Sequence, residues 1–176
     1  MRKNILLTGR PGVGKTTVIR RVVEHLEGWK ACGFYTRELR QGGRRMGFQV
    51  VTLDGREGRL AEVGLGSPHR VGRYGVDLES FERMALPVLT IPQADLIVID
   101  EIGKMECFSH AFQQAVQRAL DGPVPVVGTI GRGGPPFMHS VRGRGDVQLT
   151  EVTRANRAEL PAQLAQMLME LKGGGT

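Results

Sequence analysis

The residues "GRPGVGKT", Gly9 to Thr16, combine three glycines, a lysine and a hydroxyl at fixed spacing. They satisfy G-x-x-x-x-G-K-[ST] at every defined position. Glycines at Gly9, Gly12 and Gly14 let backbone N–H groups turn inward around a phosphate without Cβ clashes. Arg10, Pro11 and Val13 fill the variable positions of the loop. Lys15 would reach β- and γ-phosphates as a point charge, and the Thr16 hydroxyl would face a Mg²⁺ ion. Thr17 follows as a helix residue close to the site. The chemistry implied is the binding of a nucleotide's phosphate chain.

A second stretch, "LIVIDEIGKME", runs four apolar residues, Leu96 to Ile99, directly into Asp100 and Glu101. A buried strand that ends in acids fits a cation at its carboxyl end, because ligands collect there in open α/β sheets. The expectation is that this strand lies beside the phosphate-loop strand and that Asp100 serves the metal, through a bound water. Glu101 is expected just past the regular strand, free to swing toward the γ-phosphate and orient a water for in-line attack. A competing reading makes Glu101 and Glu106 acids at a helix start, where the dipole favours them. The same helix-start electrostatics is the first reading of Lys104, and a phosphate-side role is the sharper one.

Phosphoryl chemistry needs further positive charge on the γ-phosphate. Arg37, Arg73 and Arg132 are candidates, each with an ordinary surface role as the alternative. Thr129 ends another buried strand and could hydrogen-bond the γ-phosphate. His110 and His139 sit in no triad or metal spacing. Cys32 and Cys107 are single and far apart, which favours a reducing compartment over a disulfide or metal framework.

Elements must hold these residues in place. Residues 3 to 8 read as a short buried strand, and Val18, Ile19, Val22, Val23 and Leu26 recur at helical spacing after the Gly-rich turn. A second strand is expected over 31 to 37. Gly42-Gly43 and Asp54-Gly55 mark turns between β-rich runs, so an antiparallel hairpin or meander should extend the sheet. Asp77 is a candidate N-cap for a helix that Pro87 should split. Residues 104 to 120 read as one amphipathic helix, with Met105, Phe108, Phe112, Val116 and Leu120 inward. "PVPVVGTI" and "VQLTEV" are further strands. Segment 131 to 146, rich in Gly, Pro and Arg, reads as a lid, a binding loop or a mobile stretch. A last helix should cover 158 to 171. Strand and helix alternate, so the class is α/β with one mostly parallel sheet, and 176 residues suit a single domain.

The charge is uneven. The chain carries 24 Lys plus Arg against 18 Asp plus Glu, a net +6, yet residues 1 to 50 hold 11 bases and only 3 acids. That favours a polyanionic ligand, nucleotide phosphate or nucleic acid; an Arg-rich solvated surface is the alternative. No apolar run is long enough to span a membrane. The short apolar run after "MRK" is interrupted by glycine and arginine, so it reads as a strand and not as a signal peptide.

Five segments in order, "TGRPGVGKTT", "GFYTRELR" with "GRRMGFQV", "YGVDLESFE", "IVIDEIGKME" and "LTEVTRANR", resemble the nucleoside-triphosphatase family known mainly from thermophilic bacteria and archaea. A human cancer-related nucleoside-triphosphatase is a relative in that family. The likeness covers nearly the whole chain. It implies a RecA-like P-loop fold and slow Mg²⁺-dependent hydrolysis of several nucleoside triphosphates. It also implies a nucleotide site lined by residues matching Gly9 to Thr16 and Leu96 to Gly103. The segment with Thr153, Asn156 and Arg157 lies near the base in many P-loop folds, so Asn156 and Arg157 are expected base contacts. Pro161 departs from an uninterrupted last helix, which should then begin nearer Leu160.

The leading expectation is a cytoplasmic, monomeric phosphohydrolase of broad base specificity, with Lys15 and Glu101 catalytic and Thr16 and Asp100 on Mg²⁺. A nucleoside or nucleotide kinase and a nucleotide-gated nucleic-acid-binding module are the alternatives. No N-K-x-D signature for guanine is present.

Overall fold

A computed structural model describes residues 2–174. Their strands form one nine-stranded sheet in the order β5-β6-β4-β3-β2-β7-β8-β1-β9. The ranges are β1 Asn4–Thr8, β2 Ala31–Gln41, β3 Arg44–Thr52, β4 Glu57–Val63, β5 Arg70–Val71, β6 Tyr74–Val76, β7 Leu96–Ile102, β8 Val126–Ile130 and β9 Val147–Glu151. The helices are α1 Lys15–His25, α2 Leu78–Val88, α3 His110–Asp121, α4 Pro136–Arg142 and α5 Leu160–Gly173.

Five strands, β2, β7, β8, β1 and β9, pair in parallel, and β2 to β6 pair antiparallel. The long β2 belongs to both halves. Its residues Ala31–Phe34 run parallel to β7, and Phe34–Gln41 run antiparallel to β3. The expected meander is therefore present, turning at Gly42-Gly43 and at Asp54-Gly55, with positive φ at the three glycines.

The central parallel strands are buried on both faces, which explains their continuous apolar runs. Ile5, Leu6, Leu7, Val98, Ile99, Val126 and Val127 have no exposed surface. One face packs Ile5, Leu7, Val98 and Val127 against α1 and α5 through Ile19, Val22, Leu164 and Leu168. The other packs Phe34, Phe81 and Phe112, whose rings meet edge-on with centroids 5.0 to 6.0 Å apart. Gly33 permits the close contact between β2 and β7. Its φ is +117°, and a Cβ there would lie 1.9 Å from the Val98 carbonyl oxygen.

Four local expectations are corrected. Strand β8 lies between β1 and β7, so the acid-bearing strand is one place further from the phosphate loop than expected. Pro87 does not split α2; it sits in the last turn, and the helix ends one residue later. Asp77 does cap that helix, accepting from the Ser80 N–H. Residues 104 to 120 are not one helix. A 3₁₀ turn at Glu106–Phe108 is followed by α3, because the Ser109 hydroxyl accepts from the Phe112 N–H and restarts the chain there. That break turns Phe108 outward, where it is 39% exposed. Segment 131 to 146 is not a bare loop. It holds α4, with Met138 and Val141 buried and Arg142 donating to the carbonyls of Gly131 and Gly133. Helix α5 does begin at Leu160, with Pro161 in its first turn, where a missing N–H costs nothing. Among the described residues no helix is long and apolar enough to cross a membrane.

Candidate functional site

The loop from Gly9 to Gly14 joins β1 to α1, so it sits at the carboxyl end of the parallel strands and opens a helix. Gly14 takes φ +106° immediately before Lys15, a conformation in which L side chains are strained. The Lys15 ammonium donates to the Gly9 and Arg10 carbonyls, at 2.9 and 3.2 Å. It therefore lies over its own loop.

Asp100 is the centre of the site. It is 2% exposed, and each of its oxygens accepts a short hydrogen bond. Thr16 Oγ1 donates to Oδ2 at 2.6 Å and Thr129 Oγ1 donates to Oδ1 at 2.6 Å. Thr16 comes from α1, Thr129 from β8 and Asp100 from β7, so one carboxylate ties the phosphate loop to two neighbouring strands. Burial pushes its pKa up, and the hydroxyls of Thr129 and Thr16, then Lys15 and Arg20, oppose that push. Thr129 was expected as a γ-phosphate contact; its hydroxyl is engaged with Asp100.

This donor set suits a hard cation. A carboxylate and a hydroxyl beside a phosphate loop match Mg²⁺, which takes one or two such protein oxygens and completes its shell with phosphate and water. Among the described residues no group of three or more His, Cys, Asp or Glu could hold a metal. Both cysteines are buried free thiols.

Glu101 does not lie past the strand. It is inside β7, where pairing with β8 is interrupted between Ile99 and Ile102 and resumes at Ile102 with Ile130. The Asp100–Glu101 peptide is cis. Glu101 lines the same cavity as Lys15, Thr16 and Asp100. Burial raises its pKa, the Asp100 charge adds to the rise, and Lys15 opposes it.

A third acid belongs here, and the sequence reading put it elsewhere. Glu106 is not a solvated helix-start acid: it is 3% exposed and lines the cavity. A Cβ built on Gly103 would lie 2.6 Å from Glu106 Oε2 and 2.7 Å from Glu101 Oε1. The two oxygens are thus no more than about 5.3 Å apart, the sum of those distances. Burial, then the Glu101 charge, push the Glu106 pKa well above the ordinary glutamate range, and backbone hydrogen bonds at Glu106 and Gly103 oppose this. The signal in the sequence was Gly103 between two acids: only a residue without a side chain leaves room for both carboxyl groups.

The candidate arginines are spoken for. Arg37 donates to Gln49 Oε1 and Glu57 Oε1, at 2.8 and 2.7 Å, and Arg132 pairs with Glu151. Both still line the cavity. Arg73 lies in the antiparallel extension, bonded to the Arg45 carbonyl and the Tyr74 hydroxyl. Lys104 differs. It is exposed, lines the cavity, and pairs with no acid among the described residues.

Thr153, Asn156 and Arg157 form the turn before α5. The Asn156 carboxamide accepts from the Thr153 N–H and donates to the Glu151 carbonyl, so both of its ends are committed to the turn. Arg157 donates to the Val13 carbonyl of the phosphate loop at 3.2 Å.

The matching family model, described as NTPase, spans residues 4–165. The chain belongs to this NTPase family. Among NTPase relatives, nucleoside-triphosphatase THEP1 of Thermotoga sp. (strain RQ2) is 43% identical over 171 residues, covering 96% of this chain and 97% of its own. The human cancer-related nucleoside-triphosphatase is 49% identical, covering 91% and 93%. The crystal structure of THEP1 from Aquifex aeolicus superposes with a TM-score of 0.86 at 36% identity, over 94% of this chain and 98% of that one. The solution structure of the human cancer-related nucleoside triphosphatase gives 0.82 at 46%, over 96% and 98%. The RecA-like α/β fold is therefore shared with both of these solved structures.

Proposed function

We propose that this NTPase-family chain hydrolyses the terminal phosphoanhydride of nucleoside triphosphates in a Mg²⁺-dependent reaction with loose base selectivity. The observation that carries the reading is the Thr16–Asp100 hydrogen bond, which holds the metal-side acid against the phosphate loop with Glu101 next in sequence. Its relatives' names, nucleoside-triphosphatase in Thermotoga and in human, support the reaction class.

The residues divide the work. Backbone N–H groups from Gly9 to Gly14 cradle the β-phosphate, aided by the N-terminus of α1. Lys15 leaves its loop carbonyls for the β- and γ-phosphate oxygens. Thr16 and Asp100 would hold Mg²⁺, which would supply charge neutralisation for the phosphates. Glu101 orients a water in line with the γ-phosphorus. Burial makes it a better proton acceptor than a solvated glutamate. Asn156 fixes the turn that carries Arg157, and Arg157 faces the base side of the loop. The sequence has no N-K-x-D signature for guanine, which favours broad specificity.

A hydrolysis panel of ATP, GTP, CTP and UTP, with Mg²⁺ and with chelator, tests the reading. Comparable rates for all four and loss of activity with chelator are expected. A preference of several orders of magnitude for one base, or full activity without divalent metal, would contradict it.

A further inference from the structure

Five cationic side chains line the cavity of about 610 Å³ at the phosphate loop, and four of them are engaged. Lys15 lies on the Gly9 and Arg10 carbonyls. Arg37 pairs with Glu57 at 2.7 Å, Arg45 with Glu38 at 3.1 Å, and Arg132 with Glu151. Lys104 is the fifth. Its ammonium has neither a hydrogen-bond nor an ion-pair partner among the described residues. Charge spreads over the γ-phosphoryl oxygens during transfer, and sites of this chemistry set a cation there beyond the loop lysine. Of the five, only Lys104 can turn to a ligand without giving up a partner.

The fold fixes where this side chain starts. Strand β7 ends at Ile102, which pairs with Ile130 of β8, and the Ile102 carbonyl accepts from the Gly131 N–H at 3.2 Å. The next turn closes where the Cys107 N–H donates to the Gly103 carbonyl at 3.0 Å, and Lys104 is exposed on that turn. Beside it runs the chain after β8, whose Gly131 and Gly133 carbonyls are both held by Arg142. A Cβ built on Gly133 would lie 3.9 Å from Lys104 Cε, so the lysine stem follows this fixed strip. Helix-start electrostatics does not account for the charge. A cation just before the 3₁₀ turn Glu106–Phe108 meets the positive end of the backbone dipole. Two strand steps, β1 to β8 to β7, separate the two lysine-bearing connections, about 10 Å at ~4.8 Å each. Lys15 follows β1 and Lys104 follows β7, so they enter the shared cavity from strands on either side of β8.

We propose that Lys104 is a catalytic residue, the second cation on the γ-phosphate, reaching it from the β7 side while Lys15 reaches it from the loop. In hydrolysis the water oxygen bonds to the γ-phosphorus as the bond to the β–γ bridging oxygen breaks. That electron pair stays on the β-phosphate, and the water proton passes to Glu101. Lys104 moves no proton. Its ammonium, a compact charge on a flexible stem, donates to a γ-phosphoryl oxygen and strengthens that contact as charge develops. The site therefore needs no arginine from a partner chain, and the paired Arg37, Arg45 and Arg132 keep their glutamates.

The proposal deepens the hydrolysis reading and rests on it for the rate, but its binding arm needs no turnover. The test compares the full chain with Lys104→Met, which keeps the stem and removes the charge, and with Lys104→Arg. Titration with ADP and with the non-hydrolysable β,γ-imido analogue of ATP, both with Mg²⁺, reads the γ-phosphate contact. In Lys104→Met the analogue should bind about tenfold more weakly while ADP affinity stays within about twofold. Steady-state ATP hydrolysis by the same proteins should show kcat down by at least about 10²-fold, and Lys104→Arg should recover at least a tenth of the wild-type kcat. Absence of hydrolysis by the wild-type chain would count against the proposed function, and the binding arm would still decide Lys104. Analogue affinity unchanged, with kcat within about threefold of wild type, overturns the proposal. So does an equal loss for ADP and the analogue, which would put Lys104 on another part of the nucleotide. Lys104 is exposed, and an unchanged thermal midpoint confirms that the variants are folded.

Discussion

In the parallel half of the sheet Asp100 is 2% exposed, and two threonine hydroxyls bond it at 2.6 Å. In the antiparallel extension Arg37, Arg45 and Arg59 are partly exposed, each beside a glutamate. Both regions contain charge, but they hold it differently. Taking Asp100 from water costs several kcal/mol unless its lone pairs are satisfied, so its partners must be fixed in advance. Exposed arginine pairs of the extension contribute about 0–1 kcal/mol each and can exchange partners at little cost. The difference teaches where rigidity is concentrated: Asp100 in β7 is tied to α1 and β8, and the exposed arginines are adjustable.

The comparison can be broken or sharpened by substitution. The largest effect should come from the phosphate loop. Lys15→Ala removes the charge that lies directly over the phosphate loop, and kcat/KM should fall by at least about 10²–10³. Retention of more than a tenth of the activity would mean that the parallel half is not the phosphate site. Next comes the strand that joins the halves. Gly33→Ala drives a Cβ into the Val98 carbonyl oxygen at a positive φ, and denaturant unfolding should show a loss of about 3 kcal/mol or more. An unchanged midpoint would show that β2 and β7 can part freely.

These predictions rest on features unequally visible in the sequence. Gly9 to Thr16 and Leu96 to Asp100 were legible because their chemistry is local: a loop conformation and a strand end. The meander was legible from Gly42-Gly43 and Asp54-Gly55 for the same reason. The position of β8 between β1 and β7 was not, since strand order is a tertiary property with no local signature. The break at Ser109 was readable as an N-cap, but the apolar spacing from Met105 to Leu120 masked it. The burial of Glu106 depends on Gly103 bringing two carboxyl groups together, which a helix-start reading of the same residues could not supply. The pairings of Arg37 with Glu57 and Arg132 with Glu151 link distant positions, so a residue-by-residue reading could not choose between a phosphate contact and a surface role for those arginines.

A smaller effect concerns the third acid. Burial and the neighbouring Glu101 raise the folded-state pKa of Glu106. A carboxyl group so raised binds more protons in the folded chain than in the unfolded one. Stability must then fall as pH rises from the ordinary glutamate range through the raised folded-state value. Glu106→Gln should flatten that decline: more stable than wild type at pH 8, with the advantage shrinking toward pH 4. Thermal unfolding across this range measures it, and parallel curves for the two proteins would exclude a buried, raised Glu106. The smallest effect is expected at Arg37. Arg37→Ala should cost less than about 1 kcal/mol of stability, since both partners are exposed. A loss of stability as large as that of Gly33→Ala would erase the distinction between the two halves.

The central claim is that Asp100 and Glu101, adjacent in sequence, serve metal and water separately. Single-turnover hydrolysis of ATP by Glu101→Gln, with nucleotide binding measured in parallel, tests it most directly. The chemical step should slow by about 10²-fold or more while ATP and Mg²⁺ still bind. An unchanged single-turnover rate with binding intact would contradict the account.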